Sequence, residues 1–436
     1  MKPVNIGILG LGTVGRGTAE VLRANAAEIS RRLGRAVNVF MVSTRDEAKA
    51  RAACPPETLI TADPFEVVRH PEVDIVAEVF GGTEAAKELV LEAIRHGKHV
   101  VTANKKLLAE YGSEVFALAE EKNVMVQFEA AVAGGIPVIK ALREGLAANR
   151  IQSIAGIING TSNFILSEMR EKGSAFKDVL AEAQRLGYAE ADPTFDIEGH
   201  DAGHKITIMS ALAFGTPVNF QACYLEGISK LDSRDIKYAE ELGYRIKLLG
   251  ITRKTDKGIE LRVHPTLIPE SRLLANVNGV MNAVRVNADM VGETLYYGAG
   301  AGALPTASAV VADMIDIARL IEAETDHRVP HLAFQPSQVQ AQNILPMDEI
   351  TSSYYLRVQA TDEPGTLGQI AALLAKENVS IEALIQKGVI NQSTAEIVIL
   401  THTTVEHNVK RAIAAIEALS CVDAPITMIR MESLHD

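Results

Sequence analysis

The stretch NIGILGLGTVG, residues 5–15, constrains this chain more than any other. A short apolar run is broken by Gly10-x-Gly12-x-x-Gly15 and followed by a helical pattern with Val14, Val21 and Leu22 on one side. That order spells strand, tight turn, helix. In that setting the glycines let backbone approach a pyrophosphate seated on the helix N-terminus, which points to dinucleotide binding at Gly10, Gly12 and Gly15. A tight turn with no ligand is the competing reading.

Further short apolar runs at 37–42, 73–80, 98–103 and 124–130 alternate with helical segments such as TEAAKELVLEAIRHG. The alternation predicts parallel strands with crossover helices, an α/β Rossmann domain over residues 1–134. From about residue 135 the rhythm changes to amphipathic helices at 161–172, 176–186, 198–214 and 233–249, with extended segments at 259–269 and 280–289. This predicts a central α+β substrate-binding and dimerisation domain over 135–320, with the helix at 305–320 open to a return to the nucleotide domain. Residues 321–350, with Pro330, Pro336 and Pro346 and little periodicity, read as a linker. From 351 to 436 the pattern is strand, helix, strand, a turn at Asn391-Gln392, strand, helix, strand, the βαββαβ order of a ferredoxin-like domain.

A chain of 436 residues exceeds what one hydrophobic core usually supports, in keeping with that division. The net charge of −12 argues against nucleic acid or an acidic membrane as partner and favours a small molecule. Cys54, Cys223 and Cys421 form no CxxC pair, so neither a disulfide framework nor a zinc ribbon is expected. With no signal-peptide pattern at Met1-Lys2-Pro3 and no long apolar run, a cytoplasmic protein is expected.

An NAD-preferring site carries an acid at the end of its second strand. Here that strand ends in Ser43, Thr44 and Arg45, so a 2′-phosphate and hence NADP is favoured. Asp46 stands adjacent, and a plain surface role for Arg45 is the alternative. Ligands of open parallel sheets bind beyond the carboxyl ends of the strands, which directs Thr83 and Lys105 toward the nicotinamide end. Lys105, nearer its strand end than Lys106, is the candidate, against a solvated lysine pair.

GYAEADPTFDIEGHDAGHK, residues 187–205, gathers five carboxylates, two histidines and a lysine. Asp201 and Lys205 are four apart and share one helix face, while Glu190, Asp192 and Asp196 precede them in a loop where Pro193 disfavours helix. A nicotinamide enzyme reducing a carbonyl needs a proton donor, and a lysine kept charged by carboxylates serves. The remaining carboxylates are suited to a substrate ammonium. A solvated acidic loop is the plain alternative, and His200 and His204, lacking a third ligand cluster, read as surface or packing residues rather than a zinc pair.

The 187–205 stretch, NGTSNFIL (159–166), VTANKK (101–106) and FEAAVAGGIP (128–137) resemble homoserine dehydrogenase in its monofunctional bacterial form, over about residues 4–320. TDEPGTLGQIAALLAKENVSIEAL (361–384) resembles an ACT domain, an amino-acid-sensing module. No aspartokinase-like segment is expected ahead of the first strand. The resemblance implies NADP- or NAD-dependent interconversion of L-aspartate 4-semialdehyde and L-homoserine in threonine and methionine biosynthesis, by a homodimer or homotetramer. It implies Lys205 as proton donor and acceptor with Lys105 beside cofactor and substrate. Glu190 would hold homoserine, with Gly187, Asp196 and Asp201 around it, and Thr13, Val14, Arg45 and Gly302 would touch the cofactor. It also implies a sodium ion on Glu129 and the carbonyls of Val132, Gly134 and Ile136. Threonine is implied as feedback effector at Asp362, Gly365 and Asn378, against a terminal domain used only for assembly. Another ACT-bearing dehydrogenase and a non-catalytic nucleotide and amino-acid sensor are the competing functions.

Overall fold

A computed structural model describes residues 2–324, 328–391 and 394–434. The chain forms two compact units, one of Met1–Ile154, His204–Cys223 and Met281–Gln342, the other of Ala155–Gly203, Tyr224–Val280 and Asn343–Asp436. No helix among the described residues is long and apolar enough to cross a membrane.

The first unit opens with β1 (Val4–Leu9), α1 (Thr13–Ala24), α2 (Ala26–Leu33), β2 (Val37–Ser43), α3 (Glu47–Ala53), β3 (Leu59–Thr61) and α4 (Pro64–Arg69). It continues through β4 (Ile75–Glu78), α5 (Glu84–Arg95), β5 (His99–Thr102), α6 (Lys105–Glu121) and β6 (Val126–Gln127). The six strands are parallel in the order β3-β2-β1-β4-β5-β6, the doubly wound sheet that the alternation predicts. β1, β4 and β5 are buried along their whole length, because crossover helices cover both faces. The order turns about β1, so a crevice opens beyond the carboxyl ends of β1 and β4.

Next come α7 (Val138–Lys140), running into a π-helical turn at Ala141–Gly145, then β7 (Ile151–Ile157), α8 (Gly160–Lys172), α9 (Phe176–Arg185), α10 (Thr194–Ile197) and α11 (His200–Phe214). They are followed by β8 (Tyr224–Leu225), α12 (Ser233–Glu241), β9 (Tyr244–Thr255), β10 (Gly258–Pro269), β11 (Met281–Ala288), β12 (Gly292–Ala299) and α13 (Ala303–Leu320). The helix expected over 233–249 ends at Glu241. Gly243 takes φ +81°, and from Tyr244 the chain is a strand paired antiparallel with β10 from Tyr244–Pro269 to Thr255–Gly258. The apolar run IKLLGI fits either period, and pairing with β10 decides for strand. α13 belongs to the core of the parallel-sheet domain, where Val310, Met314 and Ile317 pack with Ile6, Ile8 and Ala19. Gly17 permits this, since a Cβ there would lie 2.7 Å from the Ala303 carbonyl oxygen.

The linker expected over 321–350 contains 3-10 turns at Pro336–Gln338 and Met347–Glu349, and Leu345, Met347 and Ile350 are buried with Tyr224 packed against them. β13 (Thr351–Thr361), α14 (Thr366–Lys376), β14 (Ile381–Asn391), β15 (Thr394–Thr401), β16 (Thr404–Val405), α15 (Glu406–Glu417) and β17 (Thr427–Met431) complete the chain, the predicted βαββαβ order with the two-residue β16 added before α15. Gln392 of the expected turn lies outside the described residues. β17 lies between β13, antiparallel, and β10, parallel through Thr266–Arg430 and Leu267–Met431, so the ferredoxin-like sheet is continuous with β9 and β10.

Candidate active site

At the β1–α1 turn each glycine has its own physical reason. Gly10 adopts φ +87°, a left-handed conformation that other residues adopt at a cost. A Cβ on Gly15 would lie 2.1 Å from the Gly10 carbonyl oxygen, so helix and turn touch backbone to backbone. Gly12 faces open space, with nothing within 4 Å of where its Cβ would stand. No side chain caps α1, so its first N–H groups, around exposed Thr13 and half-buried Val14, suit an anion. These residues fit a dinucleotide pyrophosphate.

Arg45 is exposed just beyond β2. The neighbouring acid is occupied: Asp46 accepts the Lys49 N–H at 3.0 Å as the cap of α3 and pairs with the Lys49 ammonium at 2.9 Å. Those bonds to Lys49 hold its carboxyl below the usual range. Thr83 is half-buried at the start of α5. Lys105 opens α6 and is half-buried, whereas Lys106 is exposed and pairs with Glu110 at 3.8 Å. Asn104 caps α6 by accepting from the Leu107 N–H at 3.0 Å and ties it to the β4 loop by donating to the Gly82 carbonyl at 2.7 Å.

One residue here escaped the sequence reading. Glu78, buried at the end of β4, accepts from the Thr102 hydroxyl at 2.6 Å and the Phe80 N–H at 3.1 Å. Burial pushes its carboxyl pKa up. Its signal was an acid interrupting the apolar run VDIVAEVF.

In the second unit the 187–201 loop is organised by the start of α8. The Asn159 carboxamide oxygen caps that helix through the Ser162 N–H at 2.8 Å. Its nitrogen donates to Asp196 at 2.7 Å and to Asp201 at 2.9 Å. The Thr161 hydroxyl donates to the Tyr188 carbonyl at 2.6 Å, and the Ser162 hydroxyl to the Asp196 carbonyl at 3.0 Å. Gly187, with φ +78°, and Glu190 are exposed, and Gln184 holds the Glu190 carbonyl at 3.0 Å. Asp192 serves the local turn, accepting from the Thr194 N–H and hydroxyl. Asp201 and Lys205 lie one turn apart on α11, and both are buried. His200 stacks on Phe195 and His204 meets Phe220 edge-on, the packing roles expected of them.

Glu129 is buried in the first unit, where burial raises its pKa. Its two oxygens accept the N–H groups of Ile139 and Lys140 at 2.8 Å each, and its own N–H donates to buried Asp313 at 2.8 Å. Among the described residues no group of three or more His, Cys, Asp or Glu could hold a metal ion. A carboxylate and backbone carbonyls are the oxygen donors that hard cations take, and both Glu129 oxygens here already accept backbone N–H groups. Backbone approach is close here: a Cβ on Gly134 would lie 2.4 Å from the Gly300 carbonyl oxygen. Gly302, at φ +126°, begins α13 in the same unit.

Three family profiles match the chain: "Homoserine dehydrogenase, NAD binding domain" over residues 10–129, "Homoserine dehydrogenase" over 137–315, and "ACT domain" over 354–421. The homoserine dehydrogenase of Neisseria gonorrhoeae is 82% identical over 436 residues, covering 100% of both chains, and that of Pseudomonas aeruginosa 58% identical over 437 residues, again covering both completely. A crystal structure of a homoserine dehydrogenase from Thiobacillus denitrificans superposes with a TM-score of 0.95 at 62% identity, covering 100% of this chain and 99% of that one. This chain belongs to the homoserine dehydrogenase family.

Membership makes the first unit's nucleotide fold that of a nicotinamide-dependent oxidoreductase. A hyperthermophilic archaeal homoserine dehydrogenase in complex with NADPH superposes with a TM-score of 0.62 at 31% identity, covering 74% of this chain and 100% of that one. In the ACT domain, Gly365, at φ +98°, starts α14, and exposed Asp362 accepts from Gln386 at 2.9 Å. Asn378, at φ +58°, ends that helix, where an asparagine in the left-handed region commonly stops the chain. Thirteen positions separate Gly365 from Asn378 across α14, about 20 Å at 1.5 Å per residue, so these two lie at opposite ends of that helix.

Proposed function

We propose that this enzyme interconverts L-aspartate 4-semialdehyde and L-homoserine with NADP as preferred nicotinamide, and that an amino acid, threonine by resemblance, acts through its ACT domain. The observation that carries the reading is the pair Asp196 and Asp201, drawn onto the Asn159 amide, with Asp201 at the start of the helix that bears Lys205. Two carboxylates and a lysine are what an amino-acid substrate with a reacting carbonyl requires: anions for its ammonium, a proton source for its oxygen.

In this reading the nicotinamide supplies or accepts the hydride. Lys205 gives its proton to the carbonyl oxygen as the alcohol forms and takes it back in the reverse direction. Burial keeps Lys205 from exchanging that proton freely with bulk water. Lys105 stands beside cofactor and substrate, and Glu190, with Asp196 and Asp201, holds the substrate ammonium. The α1 N-terminus takes the pyrophosphate, and Arg45 takes the 2′-phosphate because Asp46 is committed to Lys49. The archaeal relative with NADPH supports that preference. A monovalent cation, sodium by resemblance, would be held by Glu129 and the carbonyls of Val132, Gly134 and Ile136.

The test follows nicotinamide absorbance with L-homoserine, comparing NADP with NAD, each with and without threonine. Homoserine-dependent reduction that is faster with NADP and slowed by threonine supports the whole reading. No reduction with either cofactor removes it, and equal rates with and without threonine remove the effector.

A further inference from the structure

We propose that Asn159 is the positioning residue that makes this site select a substrate bearing an ammonium group. The inference rests on the reading that Asp196 and Asp201 face the substrate.

Asn159 is buried, and every polar function of its side chain is used. Its oxygen caps α8, which fixes the amide plane, and its nitrogen spends one hydrogen on Asp196 and the other on Asp201. Two oxygens bonded to the same nitrogen lie about 5 Å apart. Carboxylates that close repel, and the repulsion raises their pKa values unless something holds them ionised. Donors from a neutral amide do so without adding positive charge. The Asn159 amide therefore supplies both carboxylates with donors and leaves them available as an anionic receptor.

Other residue types do not meet these demands. A lysine or arginine at 159 would satisfy the carboxylates but add a second positive charge to the one Lys205 already brings one turn from Asp201, weakening their pull on an ammonium. Serine or threonine keeps the cap with one donor, and aspartate keeps the cap with none. The Ser162 hydroxyl on the Asp196 carbonyl adds a second tie between the same two segments. The NGTSN motif is thereby explained as a clamp on the substrate loop rather than as a set of substrate ligands.

The experiment uses the full-length enzyme with Asn159→Ser and Asn159→Asp, both of which retain the α8 cap. Steady-state kinetics are measured with L-homoserine and with 4-hydroxybutanoate, which lacks the amino group, and NADPH affinity is read separately by its fluorescence. Loss of charge-assisted bonds is expected to raise KM for homoserine about tenfold or more. The preference of kcat/KM for homoserine over the des-amino compound should fall by a similar factor, with NADPH affinity unchanged. The acid limb of the kcat/KM profile should move to higher pH as the carboxylates lose the donors that Asn159 gives them. An unchanged homoserine preference and acid limb in both variants overturns the role of Asn159. Asp196→Asn and Asp201→Asn serve as a separate check: wild-type KM in both overturns the placement of those carboxylates at the substrate, whatever Asn159 does.

Discussion

Arg430 and Glu406 meet through two hydrogen bonds of 2.7 Å, Nε to Oε2 and Nη2 to Oε1, with both side chains sealed from solvent. The remaining guanidinium nitrogen, Nη1, donates to Glu226 at 2.6 Å, next to β8. One arginine on β17 thus ties the ACT helix α15 to Glu226, in the part of the same unit that the homoserine dehydrogenase profile covers. Arg430→Met should destabilise the protein by about 2–4 kcal/mol, because Glu226 loses this cation and fully buried Glu406 is left with the Lys410 ammonium at 3.0 Å alone. Urea unfolding measures this, and a loss below about 1 kcal/mol would mean that the pair is effectively solvated.

Gly12 and Gly15 should respond differently to the same added methyl group. Gly15→Ala drives a Cβ into the Gly10 carbonyl, so both stability and nucleotide affinity should drop. Gly12→Ala meets no protein atom and should leave the unfolding temperature within a few degrees of wild type, while weakening NADPH by about tenfold through the space it takes from the pyrophosphate. Calorimetry and fluorescence titration on the two variants separate the effects. Equal behaviour in both would count against a ligand at this turn.

Arg45→Ala should weaken NADP by about tenfold to a hundredfold, the scale of charge-assisted hydrogen bonds to a phosphate, and leave NAD nearly unchanged. Asp46→Asn is the companion variant. Since Asp46 serves α3 and Lys49, it should alter stability slightly and cofactor preference little. A loss of NAD affinity in Asp46→Asn would instead assign that acid to the ribose.

What could be read from the sequence was local in character. β1, its glycine turn and α1 follow one another within a short stretch, and so do the elements of each later crossover, so periodicity and turn residues suffice. β10 and β17 pair through Thr266 and Arg430, and nothing in either strand's pattern names the other. Asn159 reaches partners 37 and 42 residues away, a distance that only the assembled fold closes. From sequence alone the start of β9 reads as the end of a helix, because six apolar-rich positions satisfy both periods. Glu78 stood in an apolar strand as a visible exception, and an acid in that position is a sign of a functional or satisfied buried group.

Lys205→Ala should reduce turnover by about 10²- to 10⁴-fold, the usual contribution of a positioned acid–base group. NADPH affinity should stay near wild type, because the α1 turn and Arg45 are untouched. Stopped-flow absorbance with saturating homoserine gives the turnover. A variant turning over at the wild-type rate would move the proton-transfer role away from Lys205, with Lys105 the next residue to test in the same way.

His99 should govern part of the acid stability of the nucleotide-binding unit. It is buried on β5 and its Nδ1 accepts the Met125 N–H at 2.9 Å, an arrangement that requires the ring to be neutral at that nitrogen. Burial first, then the Arg328 charge, lowers its pKa from 6.5 to about 4. The folded value lies below the unfolded one, so the unfolded chain takes up the proton first as pH falls. Stability from His99 is therefore complete above pH 6.5 and lost on the way down to about pH 4, a total of roughly 3 kcal/mol. His99→Asn keeps an acceptor for Met125 and cannot charge in this range. The difference in unfolding free energy between wild type and variant should narrow by that amount from pH 7 to pH 4, and a constant difference would show that His99 keeps its ordinary pKa in the folded protein.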